Sequence, residues 1–222
     1  RDFCLSRGLG DVYKRQRAIR PLWAACELGL DFEHVPVPFQ GGATRTPAFL
    51  DINPNGRIPA LVDARDDGPV VVWESMACAL YLARVHGVPD GASIAPASPR
   101  EEAEALRWSF WTVNELERDA LTVLMHRVAM PEPRRRPELA EQAARRLAPP
   151  LGVLDAHLRA QRARGEAHLA AARFTVADLC VASVANWVRA AGMPLGPWPA
   201  VGEWLDGCMD RPAYRAARAL GG

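Results

Sequence analysis

The sequence Asn-Pro-Asn-Gly-Arg-Ile-Pro-Ala-Leu-Val-Asp, residues 53–63, decides the fold. A turn rich in Asn, Pro and Gly leads here into a β-rich run that begins Ile58-Pro59. Proline cannot donate a hydrogen bond to a sheet. If the Ile58–Pro59 peptide bond is cis, the backbone of Ile58 turns outward and can pair with an extended ligand as an added strand would. An ordinary proline at the first turn of an edge strand explains the spacing equally well.

The chain after this stretch predicts a β-hairpin and then a helix. A second β-rich run, residues 70–73, follows the turn sequence Asp-Asp-Gly at 66–68, and a helix runs from Ser75 to its stop at Gly87. Glu74 and Ser75 occupy the strand-to-helix junction. A helix N-terminus with a hydroxyl attracts a carboxylate, and an adjacent glutamate can hold an ammonium group, so the pair suits an amino-acid-like zwitterion. Taken alone, simple capping of the helix by Ser75 is the better interpretation.

The chain before this stretch predicts a helix, a short extended segment and a short helix. Apolar residues recur at helical spacing from Arg17 to Gly29, residues 32–39 are extended, and a short helix is expected near residues 47–51. Residues 1–16 keep neither a helix period nor a strand period, and they contain the only lysine of the chain, Lys14. They resemble a translated sequencing-adapter tag, so we expect the first strand of the domain to be missing or replaced.

The C-terminal half predicts helices alone. A linker at residues 87–99 is rich in Pro, Gly, Ala and Ser, and amphipathic helical patterns follow it. Pro149 and Pro150 should kink or break one of these helices. Thr175 and Asp178 form a capping pattern in front of a helix that should be buried, and a last helix near residues 201–209 should end before Pro212. We interpret the Thr175 to Asp178 pattern as structural.

Composition excludes several classes of protein. The chain has 222 residues, 49% of them hydrophobic, with 27 basic and 26 acidic side chains. A net charge of +1 argues against nucleic acid or an anionic membrane surface as a partner. No apolar run reaches the roughly 18 residues that span a bilayer, and we expect a cytoplasmic protein. The five cysteines are scattered and the histidines lack metal-ligand spacing, so we expect most of the thiols to be buried and no metal site.

Four ordered motifs together resemble the cytosolic glutathione S-transferase superfamily, bacterial type. They are residues 20–33, residues 53–63, Trp-Glu-Ser-Met-Ala at 73–77 and Arg-Phe-Thr-Val-Ala-Asp-Leu at 173–179. The resemblance runs from Arg17 to near the C-terminus. It implies an α/β thioredoxin-like, glutathione-binding N-terminal domain at residues 17–86, with Pro59 cis. After the linker it implies an all-α helical domain at residues 100–222, and usually a homodimer. Residues 1–16 stay outside it as an anomalous segment.

The resemblance also implies the residues of the site. Ile58 would hydrogen-bond the cysteinyl backbone of glutathione, Glu74 and Ser75 would hold the ammonium and carboxylate of its γ-glutamyl end, and Arg57 would lie near the tripeptide. The implied reaction is attack of the bound glutathione thiolate, the co-substrate, on a small electrophile. The residue that activates the thiol is expected within Val12 to Gln16, where Tyr13 is the one hydroxyl. Because that stretch does not look like the family's first strand and turn, we expect little or no activity from this chain.

Two other functions remain open at this stage. A member of the same fold without catalysis would bind glutathione or a protein partner for regulation or assembly. Thiol-disulfide exchange would need a cysteine at the start of the first helix, and the sequence offers none there.

Overall fold

The structure is a computed structural model that describes residues 2–5, 12–38, 41–88 and 93–220, with the backbone alone for residues 2–5 and 12–16. The chain divides into two compact units. The first unit comprises Arg1–Val88, Ala92–Ala95 and Pro212–Gly222, and the second comprises Pro89–Gly91 and Pro96–Arg211.

The first unit holds four strands and four α-helices within its described residues. In chain order they are β1 (Asp2–Leu5), α1 (Val12–Glu27), β2 (Glu33–Pro36), α2 (Pro47–Ile52), β3 (Ala60–Asp63), β4 (Val70–Trp73), α3 (Ser75–His86) and α9 (Pro212–Leu220). A 3₁₀ turn at Ala43–Arg45 precedes α2. The predicted hairpin and the helices near residues 47–51 and 75–86 are confirmed.

The sheet has the strand order β2-β1-β3-β4. β1 pairs parallel to β2, with Phe3 opposite His34, and antiparallel to β3, with Phe3 opposite Leu61. β3 and β4 pair antiparallel. A first strand is therefore not missing, because Asp2–Leu5 fills a central position of the sheet. Four residues are too few to show a strand period, and this strand is specified by its two neighbours in the sheet.

Helix α1 packs against α3 and α9. It begins at Val12 rather than near Arg17, so Pro21 lies inside the helix and not in its first turn. The side chains of Leu22 and Trp23 are buried, and the ring of Trp23 contacts that of Tyr214 of α9, with 4.8 Å between the ring centroids and a tilt of 59°. The C-terminal helix α9 therefore belongs to the first compact unit, whereas the family resemblance predicts one helical domain over residues 100–222.

The regular secondary structure in the described residues of the second unit is helical. Its α-helices are α4 (Pro99–Trp111), α5 (Glu117–Leu124), α6 (Pro137–Ala163), α7 (Val176–Ala190) and α8 (Pro199–Met209). Two π-helical turns, Thr112–Leu116 and Met125–Ala129, follow α4 and α5, and a 3₁₀ turn spans Glu132–Arg134. Helix α7 is buried along nearly its whole length, as predicted. Helix α6 runs unbroken through Pro149 and Pro150, so the expected break does not occur.

Each helix in the described ranges is too short or too polar to cross a bilayer.

Candidate functional site

The turn before β3 is held by one buried amide. Asn53 is 2% exposed, and its side-chain nitrogen Nδ2 donates to the carbonyl oxygen of Arg57 at 2.6 Å. Its Oδ1 accepts from the backbone N–H of Asn55 at 3.1 Å. Gly56 has a φ of 58°, and a Cβ there would lie 2.8 Å from the carbonyl oxygen of Thr44. The sequence therefore needs asparagine at 53 and glycine at 56 to bring the chain round to Ile58.

The Ile58–Pro59 peptide bond is cis. The side chain of Ile58 is half-buried and packs on the small core formed by Val37 and Phe49. Among the described residues, neither the backbone N–H nor the carbonyl of Ile58 has a hydrogen-bond partner. Arg57 precedes it as an exposed residue of the turn.

Glu74 and Ser75 differ sharply in environment. Glu74 is exposed, and it has a φ of 70° and a ψ of 116°, the sole positive φ of a non-glycine residue in the described ranges. Such a conformation costs on the order of 1–3 kcal/mol and is found most often at functional sites. Ser75 is 3% exposed and is the first residue of α3.

The hydroxyl of Ser75 accepts a hydrogen bond from Arg20, which is not among the predicted site residues. Arg20 of α1 is 1% exposed, and its Nη1 donates to Ser75 Oγ at 2.7 Å. Ser75 does not cap α3, because the N-cap position belongs to Glu74, whose side chain makes no capping bond. Capping was the interpretation that the sequence favoured for Ser75, and it is wrong. The signal that could have found Arg20 is an arginine on a helix flanked by the buried apolar residues Ile19 and Leu22.

Cys78 lies one turn into α3. Its thiol is buried and donates to the carbonyl oxygen of Val72 at 3.4 Å. Burial, with a smaller contribution from the charge of Glu74, raises the pKa of the Cys78 thiol to about 12. Burial also raises the pKa of Cys26, which is half-buried on α1. Cys180 and Cys208 are buried in the second unit, so the prediction that most cysteines are buried thiols holds for the described ones.

The stretch expected to hold the thiol-activating residue forms the start of α1. Val12 to Gln16 lie in α1, and residues 6–11 form the connection from β1 to α1. That connection and the side chain of Tyr13 lie outside the described part of the chain. Within the described ranges, no group of three or more His, Cys, Asp or Glu side chains is arranged to hold a metal ion.

Comparison with known proteins assigns both halves of the chain. Residues 17–85 match the family model for the glutathione S-transferase N-terminal domain, and residues 118–212 match that for the C-terminal domain. The chain is 34% identical over 197 residues to glutathione S-transferase 3 of Zea mays, covering 85% of this chain and 82% of that protein.

Two solved structures are similar over almost the whole chain. One is the theta class glutathione S-transferase of Xanthomonas axonopodis pv. citri with glutathione bound. It superposes with a TM-score of 0.79 at 25% identity, covering 97% of this chain and 95% of that one. The other, yeast Ure2p in complex with glutathione, superposes with a TM-score of 0.82 at 22% identity, covering 100% and 94%. The thioredoxin-like and all-α architecture expected from the sequence is confirmed, and the chain belongs to the glutathione S-transferase family.

Proposed function

We propose that this protein binds glutathione at the N-terminus of α3 and transfers it to a small electrophile. The observation that carries the proposal is the junction of β4 and α3, where an exposed Glu74 with a positive φ adjoins the buried hydroxyl of Ser75. A hydroxyl at a helix N-terminus binds an anion, and the adjacent carboxylate binds a cation. The pair therefore suits the zwitterionic γ-glutamyl end of glutathione. The 34% sequence identity to glutathione S-transferase 3 of Zea mays, which covers 82% of that protein, supports the same assignment.

The rest of the tripeptide follows from the turn before β3. Ile58 has no backbone partner among the described residues, so its N–H and carbonyl can pair with the cysteinyl backbone of glutathione as a neighbouring strand would. Glu74 holds the ammonium group, Ser75 the carboxylate, and the exposed Arg57 lies beside the tripeptide. These four roles are carried over from the family resemblance.

The proposed chemistry is nucleophilic substitution by the glutathione sulfur at an electrophilic carbon. The thiol gives up its proton to solvent, the thiolate forms a C–S bond with the electrophilic carbon, and the leaving group departs with its electron pair. A thiol with a pKa of about 8.5 is mostly protonated at neutral pH, so a hydroxyl that stabilises the thiolate accelerates the reaction. We place that group within Val12 to Gln16, with Tyr13 as the one hydroxyl available there.

Thiol-disulfide exchange is not favoured by the cysteines whose side chains are described. Cys26 lies near the C-terminal end of α1, and Cys78 carries a strongly raised pKa. A low pKa is what makes an exchanging thiol reactive.

Retention on immobilised glutathione tests the binding site. We expect the unsubstituted chain to be retained, and the Glu74→Ala and Ser75→Ala variants to elute early because each removes one partner of the zwitterion. Glu138→Ala, an exposed glutamate of α6, is the matched control and should be retained. Equal retention of all four proteins would contradict the proposed site.

Turnover of a reactive aryl halide separates the enzyme from a non-catalytic glutathione-binding or regulatory protein. We expect weak or no turnover by this chain, and a further loss in Tyr13→Phe if Tyr13 is the activating group. Robust turnover that survives Tyr13→Phe would show that the thiol is activated elsewhere. Retention without any turnover would support the non-catalytic alternative.

Assembly and origin complete the proposal. We propose a cytoplasmic, bacterial-type homodimer that uses the exposed apolar stripe beginning on α4. The side chains of Leu106, Phe110 and Val113 are 44%, 64% and 42% exposed, and their spacing of four and three places them on one helix face.

Residues 1–16 stay a proposed adapter-derived segment, and an intact genomic copy that encodes the same sixteen residues would contradict that origin.

A further inference from the structure

Arg20 is a buried cation that reaches across the first unit to the proposed carboxylate site. It lies on α1, 55 residues before Ser75, and its guanidinium donates to Ser75 Oγ at 2.7 Å. Both residues are at least 97% buried. Holding a charged group with so little solvent contact is costly unless specific partners compensate for the lost hydration, so the position of Arg20 is strongly defined.

The direction of the hydrogen bond from Arg20 decides what the hydroxyl proton of Ser75 can do. An arginine side chain carries donors only, whereas a serine hydroxyl can donate once and accept twice. Because Arg20 donates, the Ser75 oxygen is the acceptor, and the hydroxyl proton of Ser75 is left to donate to another group. A neighbouring cation also polarises the O–H bond toward donation.

We propose that Arg20 is a positioning residue for glutathione that acts through Ser75. It sets the Ser75 hydroxyl as a donor aimed at the γ-glutamyl carboxylate and adds positive charge beside the N-terminus of α3. This inference rests on the proposed function, because it takes Ser75 to be the carboxylate partner. The preference of the site for an anion thus comes in part from Arg20, a residue of α1 that does not touch the ligand.

A purely structural role for Arg20 makes a different prediction. If the hydrogen bond only ties α1 to α3, its loss should loosen the first unit and weaken every ligand of the site equally. If it orients a donor toward one carboxylate, its loss should weaken only ligands that carry that carboxylate. Glutathione and γ-aminobutyryl-cysteinyl-glycine, which lacks the α-carboxylate and is otherwise identical, distinguish the two roles.

Titration calorimetry of both ligands against the full chain, Arg20→Met, Arg20→Lys, Ser75→Ala and Arg20→Met/Ser75→Ala tests the proposal. We expect Arg20→Met to weaken glutathione about tenfold or more, the usual effect of losing a charge-assisted hydrogen bond. It should change the affinity for the analogue by less than about twofold, which is within the range of a surface substitution. Arg20→Lys keeps the charge and should recover part of the loss. In the Ser75→Ala background, Arg20→Met should have little further effect.

Three results would overturn the inference. Arg20→Met could bind glutathione as tightly as the full chain, it could lose both ligands equally, or its effect could persist undiminished in the Ser75→Ala background. Circular dichroism and thermal unfolding accompany each titration. If Arg20→Met does not fold, Arg20→Lys with the two ligands carries the same comparison. A full chain that binds neither ligand would instead contradict the proposed function, and the inference with it.

Discussion

Asp178 shows what one buried carboxylate does for the helical unit. It is fully buried, and it accepts from the backbone N–H of Thr175 at 2.9 Å, from that of Leu169 at 2.9 Å and from Trp204 Nε1 at 2.9 Å. The capping box with Thr175 is the local part of this network and was predicted. The hydrogen bonds from Leu169 and Trp204 join a preceding loop and α8 to the start of α7, and no local sequence pattern indicates them.

We expect Asp178→Ala to lower the free energy of unfolding by about 3 kcal/mol or more, because it leaves three buried donors without an acceptor. Urea denaturation followed by tryptophan fluorescence measures the change. Asp206→Ala is the matched control. Its carboxylate is 69% exposed and pairs with Arg189 on the surface, so its loss should cost within about 0.5 kcal/mol. Equal effects of the two substitutions would show that the network contributes little.

The buried thiol of Cys78 should make the free energy of unfolding depend on pH. Its pKa in the folded protein is about 12, above the ordinary value of 9.0, so the folded state holds the thiol proton more tightly than the unfolded state does. The stabilisation is therefore fully present below pH 9.0 and is lost as the pH rises from 9.0 toward 12. Between about pH 8 and about pH 10.5 the full chain should lose about 2 kcal/mol more stability than Cys78→Ala.

Urea unfolding at a series of pH values measures both proteins, and the difference at neutral pH corrects for the methyl-sized packing change. Parallel curves up to about pH 10.5 would show that the Cys78 thiol ionises with an ordinary pKa.

At the scale of single elements, a side chain from another helix caps the N-terminus of α8. The carboxylate of Asp155, buried on α6, accepts from the backbone N–H of Ala200 in the first turn of α8 at 2.9 Å, and Arg159 pairs with its second oxygen at 2.9 Å. The N-cap residue of α8, Trp198, makes no side-chain capping bond. The cap is thus supplied from 45 residues away, which no pattern at the start of α8 could indicate.

Helix α6 carries two prolines in its interior and nevertheless stays continuous. Pro149 is exposed, whereas Pro150 is buried in the helical core. We expect Pro149→Ala to raise the free energy of unfolding by about 1 to 3 kcal/mol, because alanine restores a helical N–H without losing buried contacts. Pro150→Ala restores an N–H as well but removes buried atoms, so its gain should be smaller. Thermal unfolding ranks the two variants, and a loss of stability in Pro149→Ala would contradict this account.

At the scale of the whole molecule, the exposed stripe beginning on α4 makes the proposed homodimer testable. Phe110 is 64% exposed, and an aromatic side chain of that size is a large apolar surface to leave in water. We expect Phe110→Glu to convert the protein to a monomer, because it places a charge in an apolar interface. Sedimentation velocity measures the mass.

Val153→Glu is the control for the dimer, because Val153 is an apolar side chain that is 54% exposed on a different helix, α6. It should leave the assembly unchanged. A full chain that sediments as a monomer, or a Phe110→Glu variant that stays dimeric, would contradict the proposed interface.

The local patterns of the sequence sufficed for most elements and for part of the site. The turn at Asn53, the hairpin, the helix after Glu74 and the capped start of α7 all follow from residues within about four positions of one another, where helix and strand periods and caps act. The ordered motifs then placed Ile58, Glu74 and Ser75 together as one expected binding surface.

The sequence by itself determined the secondary structure around these motifs and the family, because both depend on short stretches of neighbouring residues. The tertiary structure alone decided the central position of β1, the packing of α9 on α1, the cap that Asp155 gives to α8, and the contact of Arg20 with Ser75. Each of these joins groups that are far apart in the chain, and such contacts are selected by burial, hydrogen-bond direction and charge once the elements have packed.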